Sequence, residues 1–366
     1  MAKAATMKDV AHEARVSIGT VDRVLHNRGR FSQEAADRVR AAAKHLDFQP
    51  NLVASNLKRA QWRTLVAVLP YSQQDGGFWQ LVVDGINRAV QQLGHHYVRV
   101  RFAHYDRFQP ESFTAIAEDL VREASQQIGD NGNRTDADET YAGIILAPTL
   151  QSASAELARR CDPIPVVVLD GELPGVDLLC SISQESYESG LLAAKLLHLM
   201  AGPGRYVSVV VGREDYHLLR RRSGFEDFFH GSVATERIEA TSERELRERM
   251  VQRAGRLPEI DGIFVANAAA HTVIDALQSS AGHRSGAGIS VVGYDLIPEN
   301  IARLRDGTLT FVINQQPDNQ GYQAVYALYR HSVLKERVEH QIRIPVDLVT
   351  RETLQFHELP PDSTRG

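Results

Sequence analysis

The stretch Met7-Lys8-Asp9-Val10-Ala11-His12-Glu13-Ala14-Arg15-Val16-Ser17-Ile18-Gly19-Thr20-Val21-Asp22-Arg23-Val24-Leu25 decides how the first part of this chain folds. Met7, Val10, Ala11 and Ala14 recur at helical spacing and form one narrow apolar face. Thr6 precedes them as a candidate N-cap, and Asp9 stands near the positive end of the helix dipole. Arg15-Val16-Ser17 makes a tight turn, and Ser17 caps a second helix over roughly 18–26 with Val21, Val24 and Leu25 inward. A third helix is expected from Gln33 to Leu46, capped by Ser32 and apolar at Ala35, Ala36, Val39, Ala42, Ala43 and Leu46. Three short helices with a three-residue turn between the first two make a helix-turn-helix, whose second helix can enter a DNA major groove. Ile18, Gly19 and Arg23 then face base edges, while Ser17, Thr20 and Ser32 offer hydroxyls to phosphates. A generic three-helix bundle with solvated polar residues would carry the same pattern.

The charge distribution agrees with the first of these readings. Of the 366 residues, 1–60 hold 11 Lys/Arg against 6 Asp/Glu, while the rest hold 30 against 40. A basic head on an acidic body expects a polyanion at the head alone. The 43% hydrophobic and 24% charged content is that of a globular chain of two or three units. No apolar run is long enough to span a bilayer, and the polar start has no secretory h-region. Cys161 and Cys180 alone make neither a disulfide framework nor a four-thiolate zinc site. A reduced, cytoplasmic setting is expected.

Between head and body lies Asp47-Phe48-Gln49-Pro50-Asn51-Leu52-Val53-Ala54-Ser55-Asn56-Leu57-Lys58-Arg59. Pro50 stops the third helix, and Asn51 can cap a very short one. Such a helix has no core of its own and should fold only against a symmetry mate or DNA. The collinear set Asp9-Val10-Ala11, Ala14, Val16-Ser17, Thr20-Val21, Arg23-Val24 and Phe48-x-Pro50-Asn51-x-x-Ala54-x-x-Leu57 resembles the LacI/GalR family of transcription regulators. That resemblance implies base contacts from Ile18, Gly19 and Arg23, and phosphate contacts from Thr6, Ser17, Thr20, Ser32 and Asn51. It also implies that Leu57 is a hinge leucine wedged into the minor groove, with Ala54 beside it. Two residues depart from the family pattern: Arg15 where the turn usually has glycine, and Asp22 where a serine usually precedes the arginine.

From Arg63 onward, solid apolar runs alternate with amphipathic helices, as in parallel sheets covered on both faces. Nearly 300 residues of this exceed one sheet, so two lobes are expected. The resemblance extends here to a periplasmic-binding-protein type I domain with three crossovers, near Gly171, Gln315 and Gln341. The expected organisation is an all-α helix-turn-helix domain (1–49), a hinge helix (50–60), and a two-lobed α/β ligand-binding domain (61–358). Within the last, the N-lobe covers about 61–170 and 315–340, the C-lobe about 171–314 and 341–358, and 359–366 form a tail. The stretches 126–140 and 279–288 read as surface loops, and the tail has no leucine heptads.

Ligands of open α/β sheets bind beyond the carboxyl ends of the strands. Residues just after the expected strands include Phe78 and Trp79, Asp106, Asp170, Asn267, Asp295 and Gln315. Aromatic rings there can stack on the apolar face of a sugar, and Asp, Asn, Gln and Arg can bracket its hydroxyls. The family's effector contacts correspond to Arg221, Asn267, Asp295 and Gln315, best supported by Arg221-x-x-Gly224-Phe225 and Val292-Gly293-Tyr294-Asp295. Phe78 and Trp79 rest on position alone; Tyr71, Asp106, Asp170 and Tyr187 are secondary candidates. The chain has no phosphate loop, zinc-helix or nucleophile-elbow motif. His95-His96 reads as a surface turn, so neither metal nor cofactor is expected. The expectation is a non-enzymatic, homodimeric regulator, a repressor by preference. It binds a near-palindromic double-stranded operator and answers to a small polar effector, a sugar or sugar derivative, with a nucleobase as the alternative. An α/β enzyme or a sugar-binding transport protein with a helical appendage are the rivals.

Overall fold

The computed structural model describes residues 7–25, 31–46, 62–94, 97–127, 140–211, 215–253, 259–280 and 289–357. The chain divides into two compact units, Met1–Ala60 and Gln61–Gly366. Thr6, Asn51, Ala54 and Leu57, with the expected hinge helix at 50–60 and the tail at 359–366, lie outside the described residues.

The first unit contains α1 (Met7–Glu13), α2 (Ile18–Leu25) and α3 (Gln33–His45). Val10, Ala11, Ala14, Val21, Val24, Ala36, Val39 and Ala42 form its core, with Met7, Val16, Leu25 and Leu46 packed around it. Two hydroxyls start helices: Ser17 Oγ accepts from Thr20 N at 3.1 Å, and Ser32 Oγ from Ala35 N at 3.2 Å. Each occupies an amide that has no partner within its helix. The turn between α1 and α2 places Arg15 at φ 52°, a left-handed conformation that glycine adopts at less cost.

The second unit is two open sheets. Its N-lobe holds β1 (Arg63–Pro70), β2 (Val98–Tyr105), β3 (Thr140–Leu146), β4 (Val166–Leu169), β5 (Cys180–Gln184) and β11 (Gln341–Ile344), in the order β11-β5-β4-β3-β1-β2. Every neighbouring pair in this sheet is parallel. Because both faces are covered, β1 is buried along seven of its eight residues. Leu65, Ala67 and Leu69 meet α4 (Phe78–Gln92) and α12 (Pro317–Tyr329) on one face. Val66 and Val68 meet α5 (Pro110–Gln127) and α6 (Gln151–Arg160) on the other. The period-two alternation of a strand sorts one apolar run into two cores.

The C-lobe repeats the plan with β6 (Tyr206–Val211), β7 (Thr235–Ala240), β8 (Gly262–Val265), β9 (Ser290–Tyr294), β10 (Phe311–Asn314) and β12 (Asp347–Val349), ordered β12-β10-β9-β8-β6-β7. Only the β10–β12 pair is antiparallel among these described strands. α7 (Ser186–Ala201) and α8 (Tyr216–Phe228) cover one face. α9 (Glu243–Gln252) and α10 (Ala270–Ser280) cover the other, with α11 (Pro298–Asp306) beside them.

The lobe boundaries differ from the sequence reading. β5 pairs in register with β4 (Val167 opposite Cys180) and with β11 (Gln341 opposite Ser181). Residues 171–184 and 341–344 therefore belong to the N-lobe, and the crossovers fall at 185, 315–316 and 345–346 rather than near Gly171 and Gln341. Ser181 and Ser183 give β5 a polar look, and hydrogen bonding to strands on both sides is what makes it central. The buried Gln184 side chain ties the three crossovers together, its Nε2 donating to Asn314 O and Pro345 O, each at 3.1 Å.

Candidate functional site

Two surfaces carry chemistry, one in each unit. In the first unit, Ser17, Ile18 and Gly19 are exposed at the start of α2, Arg23 is exposed in its last turn, and Thr20 is half-buried. Ser17 Oγ and Thr20 Oγ1 are 2.9 Å apart. Arg23 folds back along the helix, donating from Nε to Gly19 O at 3.1 Å and from Nη2 to Thr20 Oγ1 at 3.4 Å. Ile18 is 44% exposed, an apolar side chain at the tip of the helix with no core to enter. Ser17, Gly19, Thr20 and Arg23 are thus linked by hydrogen bonds, and Ser32 starts α3.

In the second unit, a cleft between the lobes collects residues from the carboxyl ends of strands in both sheets. Asp75, Phe78, Trp79, Arg107 and Asp170 line it from the N-lobe; Asp215, His217, Arg221, Asn267, Asp295 and the crossover residue Gln315 line the other side. This is the switch-point geometry, because in each sheet the strand order reverses at the first strand of the lobe.

Arg221 is the centre of the C-lobe wall. Gly190 on α7 and Gly224 on α8 allow the two helices to meet backbone to backbone: a Cβ on Gly190 would stand 1.9 Å from Arg221 O, and one on Gly224 2.0 Å from Tyr187 O. That close crossing fixes Arg221, which is 3% exposed. Its Nη1 donates to Ala266 O at 2.9 Å, its Nη2 to Gln315 Oε1 at 2.5 Å, and its guanidinium lies 4.0 Å from the Tyr294 ring centroid. Gln315 Nε2 in turn donates to Asp295 Oδ2 at 2.9 Å. Burial works against the Arg221 charge, but Tyr294, Asp170 and Asp295 outweigh it and raise its pKa.

Asp170 and Asp295 occupy equivalent places, each directly after the fourth strand of its lobe, at φ 49° and 64°. Left-handed backbone at a non-glycine residue costs energy, and aspartate tolerates it better than most. Burial pushes the Asp295 carboxyl up to about 6, with Arg221 and Gln315 pulling it back. Burial and the neighbouring carboxylates push Asp170 well above the usual range, against Arg221. His217 goes the other way: burial holds it at about 4, so it is neutral near pH 7. Its Nδ1 is 2.7 Å from Ser186 Oγ.

The N-lobe wall rests on Asp75. Its Oδ2 accepts from Trp79 Nε1 at 2.7 Å and from Arg107 Nη1 at 2.5 Å. Phe78 and Trp79 are 3% and 1% exposed, so they are core residues that turn an edge to the cleft. Their rings meet edge to face, 4.9 Å between centroids.

Six of the seven sequence-predicted effector residues line the cleft, and Asp106 does not. The Asp106 carboxylate accepts from Gln74 Nε2 at 2.7 Å and from Phe108 N at 2.9 Å, holding the turn that aims its neighbour Arg107 inward. Of the secondary candidates, Asp170 lines the cleft; Tyr71 and Tyr187 lie outside its lining. Sequence reasoning missed Asp75, Arg107, Asp215 and His217. Asp215 carried a legible signal as the N-cap of α8, accepting from Leu218 N at 3.0 Å. Among the described residues no cluster of His, Cys, Asp and Glu could hold a metal ion, and no helix is long and apolar enough to cross a membrane.

Comparison with known proteins follows this division. Residues 66–336 match the periplasmic binding protein domain family, and residues 6–51 match the bacterial regulatory proteins of the lacI family. The HTH-type transcriptional regulator RegA of Clostridium acetobutylicum is 51% identical over 67 residues, covering 18% of this chain and 20% of that protein. The match thus spans a fifth of that relative. The ribose operon repressor of Bacillus subtilis is 27% identical over 364 residues, 95% of this chain and 98% of the repressor. A Bacteroides fragilis chain described as a LacI transcriptional regulator superposes with a TM-score of 0.69 at 22% identity, over 81% of this chain and all of that one. The complex of the regulator CelR with cellobiose gives 0.57 at 17% identity, over 95% and 99%. These likenesses in structure carry the fold alone. With a lacI-type head and a periplasmic-binding-protein body in one chain, this protein belongs to the lacI family of bacterial regulatory proteins and is a DNA-binding transcription regulator.

Proposed function

We propose that the protein acts in the cytoplasm as a homodimeric repressor of a near-palindromic operator, released or engaged by a sugar or sugar derivative bound between the lobes. The observation that carries the effector half is the cleft: buried hydrogen-bonding side chains from both lobes converge on one space, with Trp79 and Phe78 at its edge. The relatives support the class, since one is named for the ribose operon and another structure is titled as a cellobiose complex. For the DNA half, Ser17, Ile18, Gly19, Thr20 and Arg23 read the major groove and its flanking phosphates, with Ser32 beside them. Thr6, Asn51, Ala54 and Leu57 complete the set by family position.

An effector that binds one cleft geometry more tightly shifts the population toward it. The N-lobes then move relative to one another, and the 50–60 segments of two subunits gain or lose the spacing they need to pair on DNA. A coupling of about 1–3 kcal/mol alters operator affinity roughly 5–150-fold, and operator alters effector affinity by the same factor. The carrying experiment selects operators from a random duplex pool and measures affinity by fluorescence anisotropy, with and without sugars, at several salt concentrations. Affinity should fall steeply with salt and vanish on deletion of residues 1–60. Binding that survives that deletion refutes the reading.

A further inference from the structure

The turn that leads into α2 carries a residue that the local fold does not call for. Arg15 follows α1 in left-handed backbone, at φ 52°. Its N–H donates to His12 O at 3.2 Å, and that of Val16 to Ala11 O at 3.0 Å. This pair of bonds ends a helix when the residue after the cap turns left-handed, and glycine is the usual residue there because a Cβ crowds the following carbonyl. Val16, the next residue, packs on the core of the head; the Arg15 side chain is exposed. Among the described residues its guanidinium makes no hydrogen bond or ion pair. Glu13, the carboxylate nearest in sequence, has Oε1 3.2 Å from His45 Nδ1 instead. Arg23, the other arginine of residues 7–25, is folded back along α2 onto Gly19 O and Thr20 Oγ1. Arg15 is the one whose guanidinium stays open.

Left-handed backbone at a non-glycine residue persists where the residue serves a function. The place of Arg15 indicates which function, on the reading that α2 enters the major groove. Arg15 precedes Ile18, the first residue of α2, by three positions, so its Cα lies within about 11 Å of that end. A helix with its side chains is about 10–12 Å across and the groove about 12 Å wide, so phosphates flank the helix on both sides. An exposed cation on the turn into the helix meets that phosphate wall before it meets base edges. We propose that Arg15 clamps a phosphate of the DNA backbone beside the start of α2, a contact that glycine at this place would not make. The contact fixes the register of α2 in the groove without reading sequence.

The test is fluorescence anisotropy of the full chain on a selected operator and on a scrambled duplex, between about 50 and 200 mM salt. Arg15→Gly, Arg15→Gln and Arg15→Lys are compared with the parent. Each phosphate neutralised adds about 0.9 to the slope of log affinity against log salt. Arg15→Gly and Arg15→Gln should each lower that slope by about 0.9 per head, so their deficit in affinity shrinks about 3.5-fold per head across this range. Operator and scrambled duplex should lose alike, and Arg15→Lys, which keeps the charge, should keep most of the slope. An arginine that only favours the α1 dipole would change head stability and leave the slope as it is. A parental slope in Arg15→Gln, or a loss confined to the operator, overturns the proposal while the head remains a DNA binder. If the parent binds no duplex, the reading of α2 falls and takes the proposal with it.

Discussion

Arg107 of the N-lobe and Asp215 of the C-lobe face each other across the cleft, Nη2 to Oδ2 at 4.0 Å, while Arg107 Nη1 is held by Asp75 on its own lobe. Their side chains are 7%, 18% and 13% exposed for Arg107, Asp215 and Asp75, so water screens this chain of charges little. Burial disfavours the guanidinium charge, and the two carboxylates more than restore it. Arg107→Met keeps the apolar stem and leaves Asp75 beside Trp79 without its counter-ion. Breaking a buried pair in this way costs about 3–5 kcal/mol. The thermal midpoint should fall by several degrees, and sugar binding should weaken with it. A midpoint within 1 °C of the parent's would remove Arg107 from this account.

Gly76 belongs to the turn Asp75–Gly77 and lies against Ile297 and Ala268 of the opposite lobe. At φ +64°, a Cβ there would stand 2.6 Å from Ile297 Cδ1. Gly76→Ala therefore adds backbone strain of about 1–2 kcal/mol and a methyl group that props the lobes apart. Effector affinity should fall about tenfold. Ile297→Val removes the clashing methyl, so the double variant should recover part of the loss in a calorimetric titration. No recovery would mean that backbone strain alone is responsible.

Asp295 and His217 should give opposite pH dependences. The native carboxyl of Asp295 titrates near 6 instead of 3.8, so across that window the native state holds more proton than the unfolded chain. Its contribution to stability therefore falls as pH rises from about 4 to 6, and the cost is complete above 6. The native imidazole of His217 titrates near 4 instead of 6.5, so the unfolded chain takes up the proton first. Its contribution is lost as pH falls through that range. Relative to the parent, Asp295→Asn should make stability rise more steeply between pH 4 and 6, and His217→Gln should make it rise less. Urea midpoints at four pH values check this; profiles parallel to the parent's in both variants would contradict it.

Arg15 occupies a left-handed position in the α1–α2 turn, where the family usually has glycine. Arg15→Gly should stabilise the head by about 0.5–1 kcal/mol, because the strain removed exceeds the extra entropy of an unfolded glycine. Amide exchange at Val16 and Val21, whose N–H groups bond Ala11 O and Ser17 O, should slow two- to fivefold in the full chain. Faster exchange would show that the Arg15 side chain stabilises the turn.

Much of the fold can be read from the sequence because its cores are made by period. The apolar positions of α1 to α3 and the solid runs of β1, β6 and β8 are local patterns, and the structure buries them. Elements with mixed chemistry are not legible in this way. β5 alternates serine with apolar residues, and β7 presents the pattern Thr-Glu-Arg-Ile-Glu-Ala at a sheet edge. Both are strands because a neighbouring strand satisfies their backbone, which is a non-local fact. The same holds at the cleft. Arg221, Asn267, Asp295 and Gln315 follow strand ends or a family pattern. Arg107 is one residue from the Asp106 that the sequence singled out, and only the turn around Gln74 decides which of the two points inward.

By itself the sequence determined that a basic three-helix head precedes an acidic α/β body, since charge and hydrophobic period are properties of neighbours along the chain. It also determined the family through a dense, collinear head motif. The tertiary structure alone decided where the lobes begin and end and which carboxylates gather at one cleft. Those depend on residues 32 to 230 positions apart meeting in space, as Arg107 meets Asp75 and Arg88 meets Asp318, and no local pattern encodes such a meeting.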